Sequence, residues 1–341
     1  MFKIGIIGIG MMGRVHTSRY LQLPNAQLTA IADISPEKLE AKHVIHGNIA
    51  QDDTFNFDHV AKYASGDELI AQADVDVIDI CLPSYLHAEY AIKALAAGRH
   101  VLGEKPMALT VPDADRMIAA AKQADRRLMI AQCVRFWPEY LFIREHVQKG
   151  TFGKLLSLNM YRLGGRPIWS WDNWFLDPAR SGGPIIDLQL HDIDFVNHVF
   201  GLPDRIQATG RKSPATGSYD TIHALFSYDD GPQIHIRGGW SMAQIPFQAG
   251  FDAWFERGFV RFDGRNDPPL QVFANPNKKE AKPAEYEPGD AYYNEIAYFL
   301  NRIETGAPPD ECLPQSTRDS IQLIEQTRQA IESGETIKQT H

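Results

Sequence analysis

The chain has 341 residues, 44% of them hydrophobic and 23% charged, with a formal net charge of −9. That length suits two domains with separate cores, and the acidic balance argues against nucleic acid as the main partner. No apolar run approaches the ~18 residues that cross a bilayer; the scattered Cys81, Cys133 and Cys312 form neither a disulfide framework nor a metal cassette and suit a reducing cytoplasm.

Residues 3 to 13 read KIGIIGIGMMG. A secretory signal would continue as an apolar helix to a small-residue cleavage site. Four glycines interrupt this run instead, and Arg14 and His16 follow at once. Ile4, Ile6 and Ile7 suit a parallel strand covered on both faces. Gly8-Ile9-Gly10-Met11-Met12-Gly13 is then G-x-G-x-x-G. Its first Gly permits a tight turn, the second admits a pyrophosphate, and the third lets the following helix pack close to the strand. Free N–H groups at that helix start would hold the phosphates. Alone the motif is weak, so its context must carry it.

Residues 26 to 33 form a second apolar strand ending in Asp33, twenty residues past Gly13. A carboxylate there accepts from the adenosine ribose hydroxyls and repels a 2′-phosphate, which favours NAD over NADP. The alternative is a plain strand-end or helix-capping Asp, since Pro36-Glu37 resembles a helix start. Residues 46 to 60 are polar and aperiodic, as in an insertion. A helix is expected over 66–73, a strand over 74–83, a helix over 88–97 stopped by Gly98, a strand over 99–106, a helix over 112–124 and a strand over 127–132. This alternation predicts a doubly wound parallel sheet. Ligands sit at the carboxyl ends of such strands, where Asp33, Pro83-Ser84, Glu104-Lys105 and the Gly8–Gly13 turn all fall.

The rhythm then changes. Strands are expected over 155–163, 205–212, 221–228, 233–241, 250–258 and 259–264, with period-2 alternation at Ile222, Ala224, Phe226 and Tyr228. They predict an antiparallel sheet with one face on a core and the other available to a subunit interface. Two late helices, over 289–303 and 315–333, flank Pro308-Pro309. The expected division is a dinucleotide-binding α/β domain over 1–131 and an α+β domain over 132–341. The last helix is a candidate to pack back on the first domain.

Lys105 ends a buried strand just before a proline. Beside a nicotinamide, its ammonium could bond a substrate hydroxyl and stabilise a developing alkoxide; the alternative is a surface Lys paired with Glu104. A cis Lys105–Pro106 bond would re-aim the side chain. Residues 182 to 201, GGPIIDLQLHDIDFVNHVFG, have helical apolar spacing and set Asp187 and His191 at i and i+4 on one face. The carboxylate would fix the imidazole tautomer, leaving the other nitrogen as general base. Asp194 extends that face. Solvated acids at a helix start are one alternative. A metal site at His191, Asp194 and His198 is another, although hydride transfer needs no metal. Between the first sheet strand and this helix, Trp169, Trp171 and Trp174 with Arg162 and Arg166 suit either a lid over a sugar ring or interface packing.

Four ordered pieces now carry a resemblance: GIGMMG, LPSYLHAEYAIKALAAGRHVLGEKP (82–106), the RFWPEY…GTFGKL passage (135–155) and GGPIIDLQLHDIDF (182–195). The chain resembles the glucose–fructose oxidoreductase / inositol dehydrogenase / rhizopine catabolism (Gfo/Idh/MocA) family. The resemblance implies an N-terminal Rossmann domain and a C-terminal open antiparallel sheet, through which members form homodimers or homotetramers. It implies that Lys105, Asp187 and His191 are catalytic. The implied cofactor-binding set is Gly8, Gly10, Met11, Met12, Gly13, Asp33, Ile34, Leu82, Pro83, Ser84, His87, Glu104 and Lys105. Arg162, Trp174 and Asp194 are the substrate candidates, and no metal is expected. The 46–60 segment and AQCVRF (131–136) depart from the family pattern away from the catalytic set. The expected activity is reversible, NAD-dependent oxidation of a secondary hydroxyl of a cyclic polyol, sugar or sugar derivative, in the cytoplasm, with neither nucleic acid nor membrane as partner. Two rivals share the fold: a redox-neutral, NAD-using glycosidase-like enzyme and a non-catalytic dinucleotide-sensing regulator.

Overall fold

A computed structural model describes residues 1–40, 55, 57–274, 277 and 279–339. Most of the insertion expected over 46–60 lies outside them. The chain forms two compact units, one of Met1–Cys133 with Asp290–Arg318, the other of Val134–Gly289 with Asp319–His341.

The first unit opens with β1 (Phe2–Ile7), α1 (Met11–Tyr20), β2 (Ala26–Ala32), β3 (Ala61–Tyr63), α2 (Gly66–Gln72) and β4 (Val77–Ile80). It continues through α3 (His87–Ala96), β5 (His100–Glu104), α4 (Val111–Ala124) and β6 (Leu128–Ala131). The strands pair in parallel in the order β3-β2-β1-β4-β5-β6. That is the doubly wound dinucleotide-binding order, whose ligand crevice opens where strand order reverses, here between β1 and β4. Ile4, Ile6, Val77, Ile78, Val101 and Leu102 have no exposed surface, as helices on both faces require. Ser65 and Thr110 cap α2 and α4 by accepting from Glu68 N and Asp113 N.

The second unit begins with α5 (Pro138–Lys149) and β7 (Leu155–Gly165), followed by α6 (Pro178–Ser181), α7 (Pro184–Asp187) and α8 (Leu190–Phe200). Then come β8 (Arg205–Lys212), β9 (Tyr219–Ser227), β10 (Gln233–Ser241), β11 (Gln248–Phe255), β12 (Gly258–Asp263), β13 (Leu270–Phe273) and β14 (Lys282–Pro283). After α9 (Ala291–Thr305) and α10 (Pro314–Ser333), β15 (Ile337–Lys338) closes the sheet beside β8. Among the described residues the sheet has nine strands, ordered β14-β13-β12-β11-β7-β10-β9-β8-β15. One pairing departs from the antiparallel expectation: β7 and β10 run parallel. A parallel pair needs a long crossover, and the connection containing α6 to α8 belongs to it. Tyr140 of α5 packs edge-on against Phe195, Phe251 and Phe262 at 5.0, 5.4 and 5.7 Å, marking the core between helices and sheet.

Two expectations are corrected. The helix over 182–201 is two pieces, because Leu188 N and Gln189 N both donate to Pro184 O. Asp290–Arg318 joins the first unit, where Arg19 of α1 pairs with Asp290 at 2.6 Å; α9 thus belongs with the dinucleotide fold rather than with residues 134–289.

Candidate active site

The glycine turn shows why its residues are glycines. Gly8 has φ +95°, and a Cβ on it would lie 2.4 Å from the Cys81 carbonyl oxygen. A Cβ on Gly13 would lie 2.0 Å from Gly8 O, so α1 and the turn touch backbone to backbone. Gly10 has nothing within 4 Å of that position and caps α1 without a side-chain bond. Packing demands the outer two glycines; the middle one opens a cradle at a helix start. A dinucleotide pyrophosphate fits it. Asp33 is buried at the end of β2. Its Oδ2 accepts from Ile9 N at 2.9 Å and its Oδ1 from Ser35 N at 2.9 Å. Lys38, which the sequence reading passed over, stands 3.6 Å from the same carboxylate. Ile34 beside it is exposed.

The β4 and β5 ends bring Leu82, Pro83, Ser84, Glu104 and Lys105 to the same edge of the sheet. His87 departs from the expected cofactor contact. It is buried, with Nδ1 2.6 Å from Pro106 O and Nε2 2.7 Å from Leu82 O. It ties the two turns together, and burial lowers its pKa from the ordinary imidazole value. The Lys105–Pro106 peptide is cis, as the sequence reading allowed. Lys105 N donates to Glu104 Oε2 at 3.0 Å, and the lysine side chain is half-buried.

In the second unit Asp187 ends α7 and His191 sits in the first turn of α8, both half-buried. Positive φ at Gly182 and Gly183 starts this corner; a Cβ on Gly183 would meet Ser218 Cβ at 2.8 Å. Two substrate candidates are corrected. Asp194 is fully buried and bidentate to Arg135 at 2.6 and 2.7 Å, and Ser320 Oγ donates to it at 2.8 Å. Arg162 is buried against Asp192 at 2.9 Å and donates to Tyr140 Oη at 3.1 Å. Burial pushes the Asp192 carboxyl up, with Arg162 opposing. These charges are paired inside the unit because an unpaired one there would be far costlier. The metal reading of His191, Asp194 and His198 meets the same obstacle: Arg135 holds Asp194, and Arg144 lies 2.6 Å from His198 Nε2. Trp174 remains partly exposed, stacked on Phe175 at 4.0 Å, with Trp169 and Trp240 against the same phenylalanine. The segment turns through Asp172 and Asn173, both left-handed at φ 49°.

Two family models match the chain, "Oxidoreductase family, NAD-binding Rossmann fold" over residues 2–132 and "GFO/IDH/MocA C-terminal domain" over 140–260. The chain belongs to the GFO/IDH/MocA family. Its relatives include the myo-inositol 2-dehydrogenase of Thermotoga maritima, 24% identical over 90% of each chain. The D-glucoside 3-dehydrogenase of Escherichia coli is 25% identical over 76% of this chain and 70% of that one. The aldose-aldose oxidoreductase structure from Caulobacter crescentus shares the fold at TM-score 0.84 and 22% identity, covering 99% of both chains. This GFO/IDH/MocA member is thus an oxidoreductase with an NAD-binding Rossmann unit. Among the described residues, no helix is long and apolar enough to cross a membrane.

Proposed function

We propose that the protein is an NAD-dependent dehydrogenase that reversibly oxidises a secondary hydroxyl of a cyclic polyol, sugar or sugar derivative. The carrying observation is a contrast within α7 and α8. Asp192 and Asp194 are locked in buried arginine pairs, while Asp187 and His191 stay half-exposed where α8 begins. Those two are the acid–base pair this corner offers to solvent and substrate.

His191 takes the hydroxyl proton, Asp187 orients its ring, and Lys105 donates to the substrate oxygen as negative charge grows there. When bound, the nicotinamide supplies the hydride acceptor. Asp33, at the end of β2, favours a free ribose 2′-hydroxyl and hence NAD; Lys38 at 3.6 Å offsets part of its charge. The names of the inositol and glucoside dehydrogenase relatives support a polyol or sugar substrate. Trp174 with its stacked neighbours offers a flat apolar face to such a ring. On the second sheet, exposed Trp254 stacks edge-on with Phe259 at 4.8 Å, which supports self-association through that face.

The test is absorbance at 340 nm with NAD or NADP and a panel of inositols, aldoses and glycosides. A rise with NAD and one substrate group is expected. Lys105→Met and His191→Ala should each lower turnover about 10²–10⁴-fold. Wild-type rates in both would overturn the assignment. A flat trace from protein that binds NADH would favour the redox-neutral enzyme or the regulator.

A further inference from the structure

The first unit contains a second polar cluster that the proposed chemistry does not use. His16 lies on α1 three residues past Gly13, and neither it nor Asp79 of β4 has exposed surface. Its Nδ1 is 2.8 Å from Asp79 Oδ2 and its Nε2 is 3.1 Å from Glu104 Oε1. The other oxygen of Glu104 accepts from Lys105 N at 3.0 Å. One imidazole therefore joins the phosphate-loop helix, the middle of the sheet and the main chain of the proposed catalytic lysine.

The neighbours on every packed element define the charge of this cluster. On α1, Tyr20 is fully buried, and burial with the Asp79 carboxylate pushes its phenol up. After β4, Cys81 Sγ is 3.4 Å from Asp79 Oδ1 and 3.7 Å from His16 Nδ1, and desolvation pushes its thiol up. On α9, burial pushes Tyr292 up, with Cys133 and Glu104 adding to it. Glu295 of α9 is also fully buried, and neither carboxyl oxygen has a hydrogen-bond partner. Burial raises it well above the carboxylate range; His16 opposes that rise, while Glu104 and Asp79 add to it. For His16 itself, burial opposes the charge, but Asp79 and Cys81 outweigh it and the net direction is well above the ordinary imidazole value. The result is an imidazole hydrogen-bonded to Asp79 through Nδ1 and packed 3.1 Å from Glu104 Oε1 through an Nε2 that makes no hydrogen bond, inside a pocket where burial disfavours charge on the neighbouring acid, thiol and phenols. Ligand atoms of His16, Asp79 and Cys81 lie within 4.8 Å of one another. That closeness follows from the hydrogen bonds Asp79 makes with His16 and Cys81.

The geometry points to His16 as a positioning residue: it fixes Glu104, and through Glu104 the main chain of Lys105, an inference that rests on the catalytic reading of Lys105 above. No direct contact of His16 with substrate or dinucleotide is involved.

The experiment compares two uncharged replacements of different reach. Glutamine extends to the Nε2 position and keeps a donor toward Glu104. Asparagine reaches only the Nδ1 position and keeps the one toward Asp79. His16→Asn should lower kcat about 100-fold, as a misplacement of the reacting groups does, while His16→Gln stays within about fivefold of wild type. In both, KM for the substrate and the Kd for NADH, read by its fluorescence, should stay close to wild type. The double variant His16→Asn/Glu104→Gln should be no slower than the slower single variant, because both act through one contact. In protein labelled with ¹⁵N-histidine, Glu104→Gln should lower the pH at which the His16 ring loses its proton. Equal losses in the two His16 variants that track their thermal midpoints, or multiplicative losses in the double variant, would overturn the inference. The two readings separate cleanly. Wild-type turnover in Lys105→Met removes the catalytic reading, and the positioning role with it. An inactive Lys105→Met beside unaffected His16 variants removes the positioning role alone.

Discussion

The Asp33 carboxylate, proposed above to meet a ribose, also accepts the Ile9 amide of the glycine turn. Asp33→Ser should therefore weaken both dinucleotides, and NAD more than NADP; an unchanged preference, measured by NADH and NADPH fluorescence titration, would remove Asp33 from the ribose. Glu295 yields a pH prediction. Its folded pKa lies above its unfolded one, so above about 4.3 the folded state holds a proton that the unfolded state has released. Its contribution to stability falls as pH rises, by about 1.4 kcal/mol per pH unit until the folded value is passed. Glu295→Gln keeps the shape of the neutral acid without that linkage. Urea unfolding should find it equal to wild type near pH 4 and increasingly more stable as pH rises above 5; a constant difference would exclude the linkage. Asp33 could be read from its distance to the glycines and the strand before it. His16 and Arg135 could not, because their roles depend on partners 63 and 59 positions away, brought near by the fold; Lys38 lies only five positions past Asp33, but no motif marks it. The same holds in reverse for Asp194 and Arg162: residue type suggested substrate contact, and burial assigns them to internal pairs.

Between strands and helices, the three glycines of the turn separate into packing and binding roles. Gly13→Ala places a methyl against Gly8 O and should both destabilise the first unit and abolish NADH binding. Gly10→Ala meets nothing in the protein; it should leave the thermal midpoint nearly unchanged and weaken NADH binding, and equal losses of stability in the two variants would remove the cradle. The alternation of strand and helix over 1–132 was plain in the sequence because each buried parallel strand is a short apolar run bounded by turn residues. The break before α8 was not. Leu188 and Gln189 keep right-handed backbone angles, so apolar spacing continues across the point where the hydrogen bonds shift register. The strands β13 to β15 are short pieces at or beside the sheet edges, and two of them have only two residues, too few for any periodicity to register.

Across each unit, buried ion pairs tie distant segments together. Arg135→Met or Asp194→Asn strands one charge in the interior of the second unit and should cost about 3–5 kcal/mol by urea unfolding. The double replacement should cost less than the sum of the two; full additivity would show that the charges do not depend on each other. The first unit is assembled from two stretches of chain, Met1–Cys133 and Asp290–Arg318. A ribosome makes everything between them first, which takes about 8 to 30 s at ordinary synthesis rates. Through that interval α1 has emerged but α9, with Asp290 for Arg19 and Glu295 for the His16 cluster, has not. The first unit is thus completed only after the chain between its two stretches has been made, so its two segments meet late in synthesis.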